Sequence, residues 1–231
     1  MTEVVDVRTL RLAEGTVIRI AGIEPIGLLF DDVEDETEAA LKTRIAELAL
    51  EKVIAVQPLT DKTDRYGRIP AMVAAGGALL QETLASEGLA IALPAENDPL
   101  PCFDRILAAE AEARGRRAGF WTERRLPEAF PSALSPRIGR FAIFEGNVES
   151  VRNRRVRTYL NFGNVWSADV TAEIEAADRE SFGGELPLAE LAGRRVRLRG
   201  FLEERGGPAI VLRSPMQLEV LDFTGAGGKA P

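Results

Sequence analysis

The residues of this sequence that could do chemistry are mostly arginines and carboxylic acids, and they occur in clusters. One cluster mixes basic and aromatic side chains: Arg152, Arg154, Arg155, Arg157, Tyr159, Phe162 and Trp166. Guanidinium groups pair with phosphates and aromatic rings stack on bases, so this mixture is typical of single-strand binders. Strand alternation would put Arg157 and Tyr159 on one face and Thr158 and Leu160 on the other. A hairpin with a solvated basic edge is the alternative interpretation.

A second cluster is acidic and consists of Asp31, Asp32, Glu34 and Asp35. Neighbouring carboxylates could hold a divalent cation. Acids are also expected where a helix begins, because they cap it and interact favourably with its dipole, and we favour this interpretation. Asp61 and Asp64 are interpreted as turn residues. The alternating ladder of Arg195, Arg197 and Arg199 predicts a solvated strand face.

The composition excludes several classes of site. The chain has no histidine, which removes the commonest general base near neutral pH and the commonest transition-metal ligand. Serine–histidine hydrolysis and histidine-ligated zinc are therefore excluded. The single cysteine, Cys102, excludes an intramolecular disulfide and a multi-thiolate cluster. We predict that Cys102 is a core residue of a helix.

The formal net charge of −7 opposes nonspecific attraction to a polyanion, although a local basic face could still bind one. The excess of acids lies in the first half of the chain, and the second half is neutral. No apolar run approaches the roughly 20 residues that span a bilayer, so no membrane partner is expected. The chain does not begin with a signal peptide, which favours the cytoplasm but leaves open an export signal that has been removed.

Periodicity in the first half predicts a β-hairpin followed by helices and strands. The hairpin covers Val4–Ile23, with its turn at Ala13–Gly15. An amphipathic helix is predicted over 31–52, and Gly88 is expected to end a shorter helix over 79–88. The remaining predicted elements are strands at 53–59, 69–75 and 89–93, and a long helix at 102–121.

The second half reads as a separate β domain. Residues 127–138 contain three prolines and little periodicity, which is typical of a linker. Beyond it, five strands are predicted, with a helical segment at 186–193 between the third and the fourth. This order favours an OB-type barrel over residues 139–223. The tail, 224–231, is predicted to be disordered.

Four segments of the first half, VIRIAGIE, DRYGRIPAMV, ETLASEGLAIA and AEAEARGRRAGFW, occur in this order across residues 4–123. Together they resemble the staphylococcal nuclease (thermonuclease) family. The resemblance implies an α+β protein, mainly β, in which residues 1–126 form an OB barrel with three helices. The second half resembles an OB-like domain of bacterial thermonuclease-like proteins that carry a C-terminal extension.

The family's activity is phosphodiester hydrolysis, in which calcium and two arginines neutralise the phosphate and a glutamate is the general base. Arg19 and Arg68 match the two arginines. Glu24 matches an aspartate ligand of calcium but is one methylene longer, so it is a weak metal candidate. Arg8 stands in place of the other aspartate ligand, where a guanidinium would repel a cation. Gly27 stands where the general base would be.

Two positions of the nucleotide pocket also differ from the family. Tyr66 keeps an aromatic ring near the nucleotide, whereas Pro94 and Glu96 stand where the family has tyrosines. Because each base that stacks on an aromatic ring contributes about 1–3 kcal/mol, we expect weaker nucleotide binding.

These observations predict a noncatalytic, thermonuclease-like protein that has no cofactor and binds nucleic acid weakly, or a protein partner, through tandem OB folds. The predicted nucleic-acid-binding residues are Arg8, Tyr66, Arg154, Arg155, Arg157 and Tyr159, beside Arg19 and Arg68 as phosphate-facing positions. The alternative is a divergent phosphodiesterase that hydrolyses DNA or RNA with calcium held by Glu24 and the acids at 31–35.

Overall fold

The computed structural model describes residues 1, 3–94, 100–165, 168–183 and 187–221. Predictions about Glu96, Trp166, the tail at 224–231 and the side chain of Asp31 fall outside the described residues. The chain divides into two compact units, Met1–Arg125 and Leu126–Pro231. Among the described residues, no helix is both long enough and apolar enough to cross a bilayer.

The first unit is a curled sheet with three helices. Its strands are β1 (Glu3–Asp6), β2 (Thr9–Arg11), β3 (Val17–Ile20), β4 (Ile23–Pro25), β5 (Ile54–Pro58), β6 (Ile69–Ala75), β7 (Ala78–Leu79) and β8 (Ala90–Ala92). The main sheet has the order β1-β2-β3-β6-β5, in which only β3 and β6 are parallel. β7 extends β6, and β4 pairs with β8 separately.

The helices of this unit are α1 (Glu34–Ala49), α2 (Leu80–Ser86) and α3 (Phe103–Arg116). Three acids occupy the first turn of α1, where the helix dipole favours them. Leu41, Ile45 and Ala49 recur every four residues on its buried face. Gly88, with a φ of +69°, follows α2 as the predicted helix end.

Two predictions for this unit are wrong in detail. The first predicted strand is broken, because the chain turns at Val7 and Arg8 and β2 folds back onto β1. The apolar alternation continues through this turn and hides it. Cys102, predicted as a helix core residue, is exposed and precedes α3 in the left-handed conformation, with a φ of 58°.

The second unit has the strand pairing of an OB barrel. Its elements are α4 (Pro131–Leu134), β9 (Phe141–Asn147), β10 (Ser150–Asn153), β11 (Arg157–Asn161), β12 (Thr171–Glu175), β13 (Arg195–Glu204), β14 (Pro208–Leu212) and β15 (Leu218–Val220). β10, β11 and β12 form an antiparallel meander, and β12 pairs in parallel with β14. β13 pairs with both β14 and β9. With β9 and β10 as halves of one strand, the pairing closes on itself.

The segment predicted as a linker packs into this second unit. Ala129 and Leu134 belong to its buried apolar cluster, beside Phe144, Leu160 and Leu198. The backbone N–H of Ala129 donates to the carbonyl of Glu145 at 2.7 Å. Residues 128–134 are therefore part of the folded second unit. The predicted helical segment is a short 3-10 helix, Leu188–Leu191.

Candidate functional site

A buried carboxylate, Glu24, lies between two arginines in the first unit. Glu24 belongs to β4 and its side chain is 9% exposed. Arg8 Nε donates to Glu24 Oε2, and Arg19 Nη2 donates to Oε1 at 3.0 Å. Arg8 Nη1 also donates to Glu38 of α1 at 3.2 Å. Both oxygens of Glu24 are therefore bonded to guanidinium groups.

The turn between β1 and β2 places Arg8 against Glu24. The backbone N–H of Arg8 donates to Asp6 Oδ1 at 2.7 Å, which fixes this turn. Arg19 lies on β3, directly opposite Thr9 of β2. The chain reversal at Arg8 therefore brings its side chain to the carboxylate that Arg19 also contacts.

Electrostatics keep Arg8 charged. Burial lowers the pKa of Arg8, but attraction to Glu24 and the hydrogen bonds to Glu24 and Glu38 outweigh it, so the pKa is raised above its ordinary value. The charged guanidinium of Arg8 therefore lies directly against Glu24, the carboxylate that is the weak metal candidate.

Arg68 and Tyr66 lie in a tight turn beside the same strands. Asp64 Oδ1 accepts the backbone N–H groups of Tyr66 and Arg68 at 2.9 and 3.0 Å, and Arg68 Nε donates to Asp64 Oδ2 at 2.9 Å. Desolvation raises the pKa of Asp64, but these hydrogen bonds together lower it below its ordinary value. Asp64 therefore acts as the turn former that the sequence predicted.

Thr9 links Arg68 to the chain segments that carry the other two arginines. Arg68 Nη1 donates to Thr9 Oγ1 at 3.0 Å, and Thr9 is both the next residue after Arg8 and the cross-strand partner of Arg19. The Tyr66 ring is 65% exposed, with the guanidinium carbon of Arg68 5.0 Å from its centroid. Three carboxylates pair with arginines here: Glu24 and Glu38 pair with Arg8, and Asp64 pairs with Arg68. These carboxylates balance the positive charge of the arginines.

A cleft of about 570 Å³ opens beside Arg19. Its lining is polar and apolar in about equal parts; the apolar part includes Ala21, Pro58, Leu59, Pro70, Leu93 and Pro94. Pro94, one of the two positions where the resemblance led us to expect tyrosines, thus lines this cleft. An apolar wall next to a guanidinium can receive a flat ring and an attached anion, although proline offers less stacking surface than tyrosine.

Gly27 has no room for a side chain. It lies buried in the 3-10 helix Ile26–Leu29, which packs against the start of α1. A Cβ atom at this position would come within 2.3 Å of Thr37 Oγ1 and 2.8 Å of Glu34 Cα. Atoms do not approach this closely without displacement, and Glu34 Cα belongs to the backbone of α1. The backbone therefore occupies the place where a base side chain would begin.

The acids at the start of α1 do not form a metal cluster in the part of the chain that the structure describes. Asp32 receives both terminal nitrogens of Arg124 at 3.0 and 2.9 Å. The hydrogen bonds from Arg124 lower the pKa of Asp32. Across the described ranges, no group of three or more His, Cys, Asp or Glu side chains is arranged to hold a metal ion.

Residues 36–123 match a protein-family model described as staphylococcal nuclease homologue. This part of the chain is a staphylococcal nuclease homologue domain. Tyr66 and Arg68 lie within the matched range, whereas Arg8, Arg19 and Glu24 lie in the strands before it. A comparison with curated proteins found no significant match.

Outside the nuclease homologue domain, the predicted binding residues of the second unit lie on and beside β11. Thr158 and Leu160 face the core, and Arg157 and Tyr159 face outward, as alternation predicts. Arg157 donates to Glu173 at 3.0 Å and contacts Glu175. Arg154 and Arg155 lie exposed in the turn between β10 and β11. Phe162 belongs to the core, so the aromatic residues divide between core and surface.

The prediction of a solvated arginine ladder on β13 is wrong for Arg197 and Arg199, whereas Arg195 is partly exposed. Arg197 is 9% and Arg199 is 1% exposed. Arg197 bonds to Glu145 of β9 and Glu219 of β15, and Arg199 also bonds to Glu219. Burial raises the pKa of Glu145, but its hydrogen bonds to Arg197 and Arg195 lower it below its ordinary value. Arg197 and Arg199 thus belong to an ion network between strands, and its acids are distant in sequence from its arginines.

Proposed function

We propose that this protein is a noncatalytic nuclease homologue that binds single-stranded nucleic acid through arginine–phosphate contacts and uses no metal. The observation that carries the proposal is the Glu24 carboxylate, whose two oxygens accept hydrogen bonds from Arg8 and Arg19. In the family that the sequence resembles, the corresponding region holds a calcium ion.

Calcium needs six to eight oxygen ligands, commonly several carboxylates. Arg8 instead presents a positive charge to the single buried carboxylate of the site. A divalent ion about 4 Å from that charge would be repelled by about 8 kcal/mol at an effective dielectric constant of about 20. The remaining acids in contact, Glu38 and Asp64, are each engaged by an arginine.

The missing general base also supports a noncatalytic protein. Losing a general base costs about 10²- to 10⁴-fold in rate. At Gly27 the base is absent, and the position also has no room for one, because Glu34 and Thr37 fill the space in which a side chain would begin. A water molecule near Arg19 would therefore have no carboxylate from this position to take its proton.

Phosphate binding does not need the metal or the base. Guanidinium groups donate to two phosphate oxygens at once, and Arg19 lines the cleft while keeping its contact to Glu24. The exposed Tyr66 ring next to Arg68 offers a surface on which an unpaired base can stack. Since the neighbouring carboxylates balance the arginines, we expect weak binding that falls as salt rises.

The test is to incubate the full chain with fluorescently labelled single-stranded DNA and RNA, with calcium in one arm and EDTA in the other. Cleavage and anisotropy are read from the same samples. No cleavage in either arm, with binding that weakens as salt rises, supports the proposal. Calcium-dependent cleavage that Arg19→Ala abolishes contradicts it and favours the divergent phosphodiesterase. If neither cleavage nor binding is observed, the nucleic-acid part of the proposal is contradicted and a protein partner is favoured.

A further inference from the structure

A pocket of about 310 Å³ lies on the outward face of the second unit's meander. It is lined by Arg152, Arg154, Tyr159, Asn161, Thr171, Glu173 and Arg205. Its volume lies at the small end of the roughly 300–1,000 Å³ of ligand pockets. The pocket therefore suits a small unit with one flat group rather than a bulky ligand.

Strand register gathers these side chains on one face. Arg152 of β10 lies opposite Tyr159 of β11, and Tyr159 lies opposite Glu173 of β12. Directly paired residues of an antiparallel ladder project to the same side of the sheet. The intervening residues Leu160 and Ala172 point into the core. The tyrosine ring is thus flanked by an arginine on one side and a carboxylate on the other.

The charges of the pocket are not balanced. Glu173 is 6% exposed, and its Oε2 accepts from Arg157 at 3.0 Å and from Arg205 at 2.8 Å, so its charge is neutralised within the fold. Arg152 and Arg154 are exposed, and their guanidinium groups make no hydrogen bond or ion pair with the residues that the structure describes. Two cationic groups therefore remain available to an anionic ligand at the rim.

We propose that this pocket binds one nucleotide of a single-stranded nucleic acid, with the base against Tyr159 and the adjacent phosphates on Arg152 and Arg154. An aromatic ring with two uncommitted guanidinium groups in the same pocket can take one base and its adjacent phosphates. A duplex would not fit, because its bases are stacked and paired away from such a surface. Asn161, in the pocket wall, adds an amide that can hydrogen-bond a base edge. This inference extends the proposed function to a second site.

The experiment measures binding of labelled single-stranded DNA and RNA to the full chain by anisotropy, in EDTA and over a range of salt. Tyr159→Ala is expected to weaken binding about 5- to 150-fold, as loss of one stacked base implies. The double variant Arg152→Ala/Arg154→Ala is expected to lower the slope of log affinity against log salt by about 1.4, from about 0.7 for each phosphate contact. Lysine at both positions should restore the slope.

Matched variants separate binding from folding. Arg213→Ala removes an exposed arginine of the same unit that does not line the pocket, and it should bind as the parent does. Tyr159→Phe keeps the ring and should also bind as the parent does, which assigns the loss in Tyr159→Ala to the missing ring once circular dichroism shows that Tyr159→Ala is folded. Unchanged affinity in Tyr159→Ala together with an unchanged salt slope in the double variant would overturn the inference. Binding of a phosphopeptide but of neither oligonucleotide would also overturn it.

Variants of the first unit distinguish this inference from the proposed function. If Arg19→Ala/Arg68→Ala leaves binding intact while the pocket variants weaken it, the pocket stands and the arginine site of the first unit fails. The reverse result removes the pocket and leaves the proposed function in place. Comparison of the DNA and RNA arms shows which strand the pocket prefers.

Discussion

Adding a single methyl group at Gly27 tests whether the general-base position is closed. The Cβ of Gly27→Ala would lie 2.3 Å from Thr37 Oγ1 and 2.8 Å from Glu34 Cα, so the start of α1 must move. Overpacking of this kind costs about 1–3 kcal/mol, against about 0.4–1 kcal/mol that alanine contributes by restricting the unfolded chain. We expect a net loss of about 1–2 kcal/mol in the free energy of unfolding of the first unit.

Urea unfolding followed by tryptophan fluorescence measures this change. A Trp166→Phe background leaves Trp121, which is fully buried in the first unit, as the one tryptophan. Gly115→Ala is the matched control, because Gly115 lies in α3 with open space around its would-be Cβ. That control should stabilise the unit by about 0.5–1 kcal/mol.

Thr37→Ala sharpens the same test. Removing Thr37 Oγ1 relieves the closer of the two contacts, so Gly27→Ala should cost less in the Thr37→Ala background, with a coupling of about 0.5 kcal/mol or more. The backbone contact to Glu34 remains, so the cost should not vanish. If Gly27→Ala is as stable as the parent chain, the position is open, and the loss of the base is only a change of residue type.

Three further predictions concern the ion pairs. Arg8→Met should lower the stability of the first unit by about 1–2 kcal/mol in urea unfolding, because it leaves Glu24 with one arginine at a partly exposed site; no loss would mean that the pair is only a surface contact. Asp64 has a lowered pKa, so its charge stabilises the fold above its ordinary pKa of about 4, and this contribution is lost as pH falls through the lowered value. The stability advantage of the parent chain over Asp64→Asn should therefore shrink below about pH 4, and a difference that stays constant with pH would refute this assignment. Glu145→Gln should cost the second unit about 2–3 kcal/mol at neutral pH, measured by circular dichroism, because the buried Arg197 loses a charged partner; a neutral effect would show that Glu219 suffices.

The sequence predicts most elements of the first unit because their patterns are local. The strand at 69–75 coincides with β6, and the acids and four-residue spacing of α1 place its start and its buried face. The turn at Val7 and Arg8 could not be read from the sequence in this way. The apolar alternation runs through it, and only the pairing of β1 with β2 shows that the chain reverses there.

The candidate site was predictable in its residues but not in its contacts. The resemblance supplied Arg8, Arg19 and Glu24 as neighbours, whereas Glu38 comes from α1 and no local pattern points to it. The arginine ladder of β13 shows the same limit. Strand alternation predicts that Arg197 and Arg199 share a face. Their carboxylate partners come from other strands, so the burial of the two arginines depends on tertiary packing.

The most direct test of the central claim is a single-turnover cleavage assay with protein in excess over labelled single-stranded DNA or RNA. Excess protein removes weak binding as a reason for slow cleavage. Because Arg8 is held against Glu24 and Gly27 supplies no base, we expect the same background rate in calcium and in EDTA, for the parent chain and for Arg19→Ala. A rate that rises with calcium and falls to background in Arg19→Ala would contradict it.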